Sequence, residues 1–159
     1  MNPYKNEIDM YSDIMNNLEY YMDFYGYKDY EIFKTWKEFP PKLQSVYQKE
    51  WDILGDIGKP DIMVLYRTNS SEKYKTLIVE VKYNGITLNN IAQAKMYGDV
   101  FRADKVFLVA PEEIRRQLIQ YYTVNDYLMN YSCGFVRFVR FVDKNLQLQT
   151  SFPNGGELL

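Results

Sequence analysis

Asp61, Glu80 and Lys82 are the residues whose types and spacing point to chemistry. They lie in two apolar runs, Lys59-Pro-Asp-Ile-Met-Val-Leu-Tyr66 and Leu77-Ile-Val-Glu-Val-Lys-Tyr83. A charge inside such a run is costly to bury unless it is paired or bound to a metal. On a strand, Glu80 and Lys82 share one face at a separation of roughly 6.6 Å. If the two runs are neighbouring strands, about 4.8 Å apart, Asp61 lies beside Glu80. Two carboxylates then meet one ammonium. Mg²⁺ favours one or two carboxylates plus waters, and Asp61 and Glu80 supply them. Lys82 cannot ligate a cation, but it can stand beside a water that the cation polarises.

The competing reading is a buried salt bridge between Lys82 and one of the two acids. Desolvation largely offsets the attraction in such a pair, and two acids against one lysine leave a surplus negative charge. That surplus favours the metal site. Pro60 suits the first residue of a strand and forces Lys59 to be extended.

The elements that must position these groups are legible in outline. Asn2-Pro3 predicts a helix start, and Ile8, Tyr11, Ile14, Met15, Leu18, Met22 and Tyr25 recur at helical spacing until Gly26. A strand is expected over Tyr30–Trp36, and a short helix from Lys42 to Trp51. Gly55–Gly58 reads as a turn, followed by the Asp61 strand to about Arg67. A polar hairpin loop, Thr68–Lys73, leads to the Glu80 strand, which ends near Tyr83. Thr87 or Asn89 caps a helix running to Arg102. Lys105–Ala110 is a buried strand, Pro111 to about Asn130 a long helix, and Gly134–Val142 a closing strand. This order predicts an α/β fold, a mixed central sheet flanked by helices. It forms one domain over residues 1–152, with 153–159 as a flexible tail.

On the wheel of the 88–102 helix, Lys95, Asp99 and Arg102 share one face. Gln93 sits in the middle of the opposite face, with Met96, Tyr97, Val100 and Phe101. A buried glutamine needs partners, and packing toward the Glu80–Lys82 strand would supply Lys82 or a phosphate. A core glutamine bonded to backbone is the plainer alternative. Tyr97 reads as core packing.

Composition narrows the chemistry. The 159 residues include no histidine and a single cysteine, Cys133. Cysteine-ligated zinc and iron–sulfur centres within one chain are excluded, and a metal must sit on oxygen ligands. No apolar run approaches the ~20 residues of a membrane span, and the N-terminus lacks the blocks of a signal peptide, so a cytoplasmic location without membrane association is expected. Net charge is −2, yet residues 1–33 carry seven acids and two bases, which leaves the remainder at +3.

Pro60-Asp61 followed by Glu80-Val81-Lys82 resembles the signature of the PD-(D/E)XK nuclease superfamily. Gln93-Ala-Lys-Met-Tyr97 is similar to the Q-x-x-x-Y motif of its RecB-like exonucleases, and the Lys59-Pro-Asp…Glu-Val-Lys spacing also resembles archaeal Holliday junction resolvases. The resemblance covers roughly residues 55–110. It implies a restriction endonuclease-like αβββαβ core and a DNA nuclease dependent on Mg²⁺ or Mn²⁺, exonuclease-like in type. Asp61, Glu80, Lys82 and Gln93 would be catalytic, and Asp61, Glu80 and the Val81 carbonyl would be metal ligands. The alternatives are a resolvase-type endonuclease, which needs a homodimer to cut two strands symmetrically, and a catalytically silent nucleic-acid- or protein-binding module on the same fold. The superfamily often adds an acid from its first helix. Glu7, Glu19, Glu50 and Asp56 compete for that place. Lys34, Lys37, Lys42 and Lys59 flank the expected site and are the candidate phosphate contacts. Strand alternation sends Arg137 and Arg140 to opposite faces.

Overall fold

The computed structural model describes residues 2–55, 58–125, 127–148 and 152–153. Among these, four helices flank a seven-stranded mixed sheet: α1 (Glu7–Phe24), β1 (Asp29–Lys34), α2 (Pro41–Leu54), β2 (Ile62–Arg67), β3 (Lys75–Val81), α3 (Leu88–Val100), β4 (Lys105–Ala110), α4 (Arg116–Val124), β5 (Asn130–Tyr131), β6 (Gly134–Val142) and β7 (Asn145–Leu146). The strand order is β1-β2-β3-β4-β6-β5, and β7 pairs with β6. The first three strands run antiparallel, whereas β3, β4 and β6 are parallel. The α/β class and mixed sheet follow the expectation from sequence.

Both faces of the sheet are buried, which is why its central strands read as continuous apolar runs. One face packs under α1. Met10, Tyr11, Ile14, Leu18, Tyr21 and Met22 meet Ile62, Val64, Leu77, Val79, Phe107 and Val139 there. The other face takes Leu43 and Leu54 of α2, Ile91, Ala94 and Tyr97 of α3, and Leu118 of α4 against Met63, Leu65, Ile78 and Val106. In β6, Val136 and Phe138 belong to this second core while Val139 and Phe141 belong to the first. Arg137 and Arg140 therefore leave on opposite faces.

Several boundaries differ from the sequence reading. The first helix is capped by Asn6, whose side chain accepts the Asp9 N–H, rather than by Asn2. Its end is as expected, with Gly26 at φ 80° in the left-handed region where glycine costs nothing. The second helix extends to Leu54 and is kinked at Tyr47. Thr87, not Asn89, caps α3, in a reciprocal capping box with Asn90. The expected helix from Pro111 to Asn130 shrinks to Arg116–Val124. Residues 111–115 are instead tied to β6, since Arg140 Nε donates to the Pro111 carbonyl at 3.2 Å and Arg140 Nη1 to Glu113 at 3.1 Å. The Gly55–Gly58 turn lies partly outside the described residues. So does the 153–159 tail from residue 154 on, while Phe152 bridges Phe138 antiparallel. No helix among the described residues is long and apolar enough to cross a membrane.

Candidate active site

Asp61 stands at the entry to β2, where Thr35 fixes the chain. The Thr35 N–H donates to the Asp61 carbonyl at 2.9 Å, and its hydroxyl donates to the Pro60 carbonyl at 2.6 Å. The β2–β3 register pairs Ile62 with Val79, so one step further Asp61 faces Glu80. Glu80 is 2% exposed and Asp61 8%. Lys82 lies just past the end of β3 rather than within it, yet its N–H still bonds the Val109 carbonyl at 2.8 Å. Its ammonium donates to Glu80 Oε1 at 2.8 Å. Asp61, Glu80 and Lys82 are therefore brought together.

The two carboxylates are satisfied unequally. Asp61 Oδ2 accepts the Val81 N–H at 2.7 Å, and Oδ1 accepts the Tyr11 hydroxyl at 2.6 Å. Glu80 Oε2 is buried with no hydrogen-bond partner. An unpaired buried acceptor is expensive, and here it sits beside a second acid. Burial raises the Glu80 pKa, and the Asp61 charge raises it further. Lys82 pulls it down but does not prevail, and the result is about 8. Burial also raises Asp61, against the lowering effects of Tyr11, Val81 and Lys82. For Lys82 burial acts downward, but Glu80, Asp61 and Glu7 outweigh it and the net direction is up. The cluster holds more negative potential than one ammonium neutralises.

Val81 buries its side chain under α1. The N–H and C=O of one strand residue leave by the same edge, so its carbonyl faces the Asp61 side, where its N–H is bound. Among the described residues no three carboxylates or thiolates gather into a metal-ligating set. Two carboxylates with a backbone carbonyl and waters are still a donor set suited to Mg²⁺, and the orphaned Glu80 oxygen and surplus charge fit a cation there.

Of the rival acids, Glu7 comes nearest. Its Oε1 accepts the Tyr83 N–H at 3.3 Å, and its charge acts on Asp61, Glu80 and Lys82. Glu19 is exposed at the far end of α1 beside Tyr30, Glu50 lies on α2 near Tyr47, and Asp56 is outside the described residues.

Gln93 is half-buried rather than fully buried, and its Nε2 donates to the Tyr97 hydroxyl at 3.0 Å. Tyr97 is fully buried, and the charges of Glu80 and Asp61 both raise its pKa. The two residues thus act as one unit behind the carboxylates. Gly58 closes over them, since a Cβ there would lie 2.7 Å from the Tyr97 hydroxyl and 3.6 Å from Gln93 Nε2.

The four lysines divide. Lys34 is exposed and opposite Ile62, one step from Asp61. Lys37 lies over the Trp36 ring, and Lys59 over Trp51 with its ammonium bonded to the Lys37 carbonyl. Lys42 does not flank the site. It pairs with Glu31 at 2.7 Å and lies over Tyr74, toward the opposite end of the sheet. Tyr11 was not singled out from sequence. Its position in the apolar stripe of α1 was visible, but its partner lies fifty residues away.

Past Lys82, Tyr83 and Asn84 border an open cleft of about 540 Å³, with Tyr4 and Arg140 among its other walls. Compared with protein-family models, curated proteins and solved structures, the chain matches none.

Proposed function

We propose that this protein is a metal-dependent deoxyribonuclease of the PD-(D/E)XK type, working inside the cell. The observation that carries the reading is the buried Glu80 carboxylate with one oxygen on Lys82 and the other without a partner, directly opposite Asp61. The order α1, β1, β2, β3, α3, β4 fits the αβββαβ core that the resemblance implies, with α2 inserted between β1 and β2.

Asp61, Glu80 and the Val81 carbonyl would hold Mg²⁺ or Mn²⁺, which when bound supplies Lewis-acid polarisation of a water and of the scissile phosphate. The chain's own groups do the rest. Tyr11 and the Val81 N–H fix the Asp61 carboxylate. Lys82 is placed to orient the attacking water and to offset negative charge gathering on the phosphate oxygens. Tyr97 holds Gln93 beside them, with its carboxamide available to the phosphate or the water. Lys34, Lys37 and Lys59 offer backbone contacts on the Asp61 side.

The test is cleavage of linear, circular and four-way-junction DNA in parallel, with Mg²⁺, with Mn²⁺ and with EDTA, against Asp61→Asn. Metal-dependent loss of linear DNA alone supports an exonuclease, and junction-specific cuts by a dimer support the resolvase form. No cleavage of any substrate, with wild type equal to Asp61→Asn throughout, defeats the reading.

A further inference from the structure

The open cleft past Lys82 lies at the C-terminal rim of the three parallel strands. Tyr83 follows β3, Glu112 and Glu113 follow β4, Arg140 and Phe141 lie near the end of β6, and Tyr4 closes the far side. The carboxyl ends of parallel strands are where open α/β sheets take their ligands. At about 540 Å³ the cleft has the size of a small-molecule site rather than of a duplex. It begins at the residue next to Lys82, one strand step of ~3.3 Å along the backbone.

Its walls are aromatic and held in place. The Tyr4 hydroxyl donates to Asp13 at 2.6 Å, and its ring centroid stands 5.7 Å from that of Phe141. Tyr83 is half-buried against the α1-face core, and its N–H donates to Glu7 Oε1 at 3.3 Å. Such walls favour a flat ligand with a π-face.

The polar groups of the cleft are chiefly acceptors. Arg140 spends Nε on the Pro111 carbonyl and Nη1 on Glu113. Glu112 takes part in no ion pair among the described residues. It reaches across from the exit of β4 to the exit of β3, because residue 85 is glycine. A Cβ there would lie 2.7 Å from Glu112 Oε2. Carboxylates repel a phosphate but accept from the N–H edge of a neutral ring, as a glutamate accepts from the amino group of cytosine.

We infer that this cleft binds an unpaired base of the DNA strand being cut, and an amino-bearing base in preference to thymine. The inference rests on the nuclease reading for the kind of ligand. Lys82 is paired with Glu80, whereas Tyr83 turns to the α1 face. A strand with its phosphate at Lys82 therefore passes its base over the rim of β3, onto the tyrosine rings and within reach of Glu112. A single strand or a frayed end supplies such a base directly, whereas a closed duplex must first unpair and unstack it.

The experiment measures binding and cleavage separately. Binding is followed by fluorescence anisotropy on full-length Asp61→Asn with Ca²⁺, using single-stranded oligonucleotides of dC, the same length of dT, and a blunt duplex. The dC strand should bind more tightly than dT. Tyr83→Leu, added to that background, should lower the ratio of single-strand to duplex affinity about tenfold, within the range of one lost base stack. Glu112→Gln should narrow the preference for dC over dT severalfold, and its exposed position keeps the test available if Tyr83→Leu folds poorly. Cleavage of the same substrates by the wild type with Mg²⁺ tests the nuclease reading by itself. Tyr83-dependent binding of single strands that are never cut supports the cleft and removes the nuclease. Cleavage with equal affinity for dC, dT and duplex, unaltered by Tyr83→Leu and Glu112→Gln, overturns the cleft and leaves the nuclease standing. Failure to bind any single strand also overturns the cleft.

Discussion

The Tyr11 hydroxyl donates to Asp61 Oδ1 at 2.6 Å, joining the first helix to the carboxylate that opens β2. Tyr11 is 3% exposed, so water cannot replace it. The bond favours the ionised carboxylate and opposes the effect of burial. Tyr11→Phe should therefore destabilise the fold by about 1–3 kcal/mol, the cost of leaving a buried charged acceptor unpaired. The loss should shrink at acid pH, where Asp61 is protonated and the bond has no anion to favour. Denaturant unfolding at pH 4 and pH 8 measures it, and an equal loss at both would show that Tyr11 acts only through packing.

Glu80 gives the metal-free protein a distinctive pH dependence. An unfolded glutamate releases its proton near 4.5, whereas folded Glu80 keeps it to about 8. Between these values the folded state holds a proton that the unfolded state has lost, so stability falls as pH rises. The slope is at most about 1.4 kcal/mol per pH unit for one group. Glu80→Gln should remove this component. The difference in unfolding free energy between wild type and Glu80→Gln, measured in EDTA, should grow from pH 5 to pH 8 in favour of the variant. Parallel profiles would show that Glu80 titrates normally.

Metal response separates a ligand site from a buried ion pair. Mg²⁺ or Mn²⁺ should raise the melting temperature of the wild type, by RT ln(1 + [L]/Kd), or about 2.7 kcal/mol at a hundredfold excess over Kd. Asp61→Asn and Glu80→Gln should lose that stabilisation together with cleavage, because neutral amides are poor ligands for a hard cation. Lys82→Ala should keep the stabilisation while turnover falls by ~10²–10³. Undiminished turnover in Lys82→Ala would remove the lysine from the chemistry.

Much of this arrangement was legible in the sequence because each signal was long or costly. Four apolar runs became β2, β3, β4 and β6, and the charges inside two of them met across the predicted register. What escaped was short or distant. The two-residue strands β5 and β7 are below any periodicity, and their identity depends on β6 as a template. The helix at Pro111 was overestimated because its first residues bond to Arg140. Tyr11 was one of sixteen tyrosines, and only the tertiary fold selects it. Lys42 was assigned to the site by sequence proximity, and α2 carries it away.

That division of the lysines sets the last prediction. Lys34, Lys37 and Lys59 lie on the Asp61 side, while Lys42 is paired with Glu31 at a distance from it. If the three are phosphate contacts on duplex DNA, log K against log salt should fall with a slope near −2.7, about 0.9 for each. Charge reversal at Lys34 and Lys37 should weaken binding to unrelated sequences about equally, since phosphate contacts carry no base information, and should flatten the slope by roughly 1.8. Lys42→Glu should leave both affinity and slope near wild type. The measurement is fluorescence anisotropy on Asp61→Asn, the variant expected to lack cleavage, in the presence of Ca²⁺, from about 50 to 200 mM salt, the range over which counterion release is large. An effect of Lys42→Glu equal to that of Lys34→Glu would place the DNA along α2 instead of across the entry to β2.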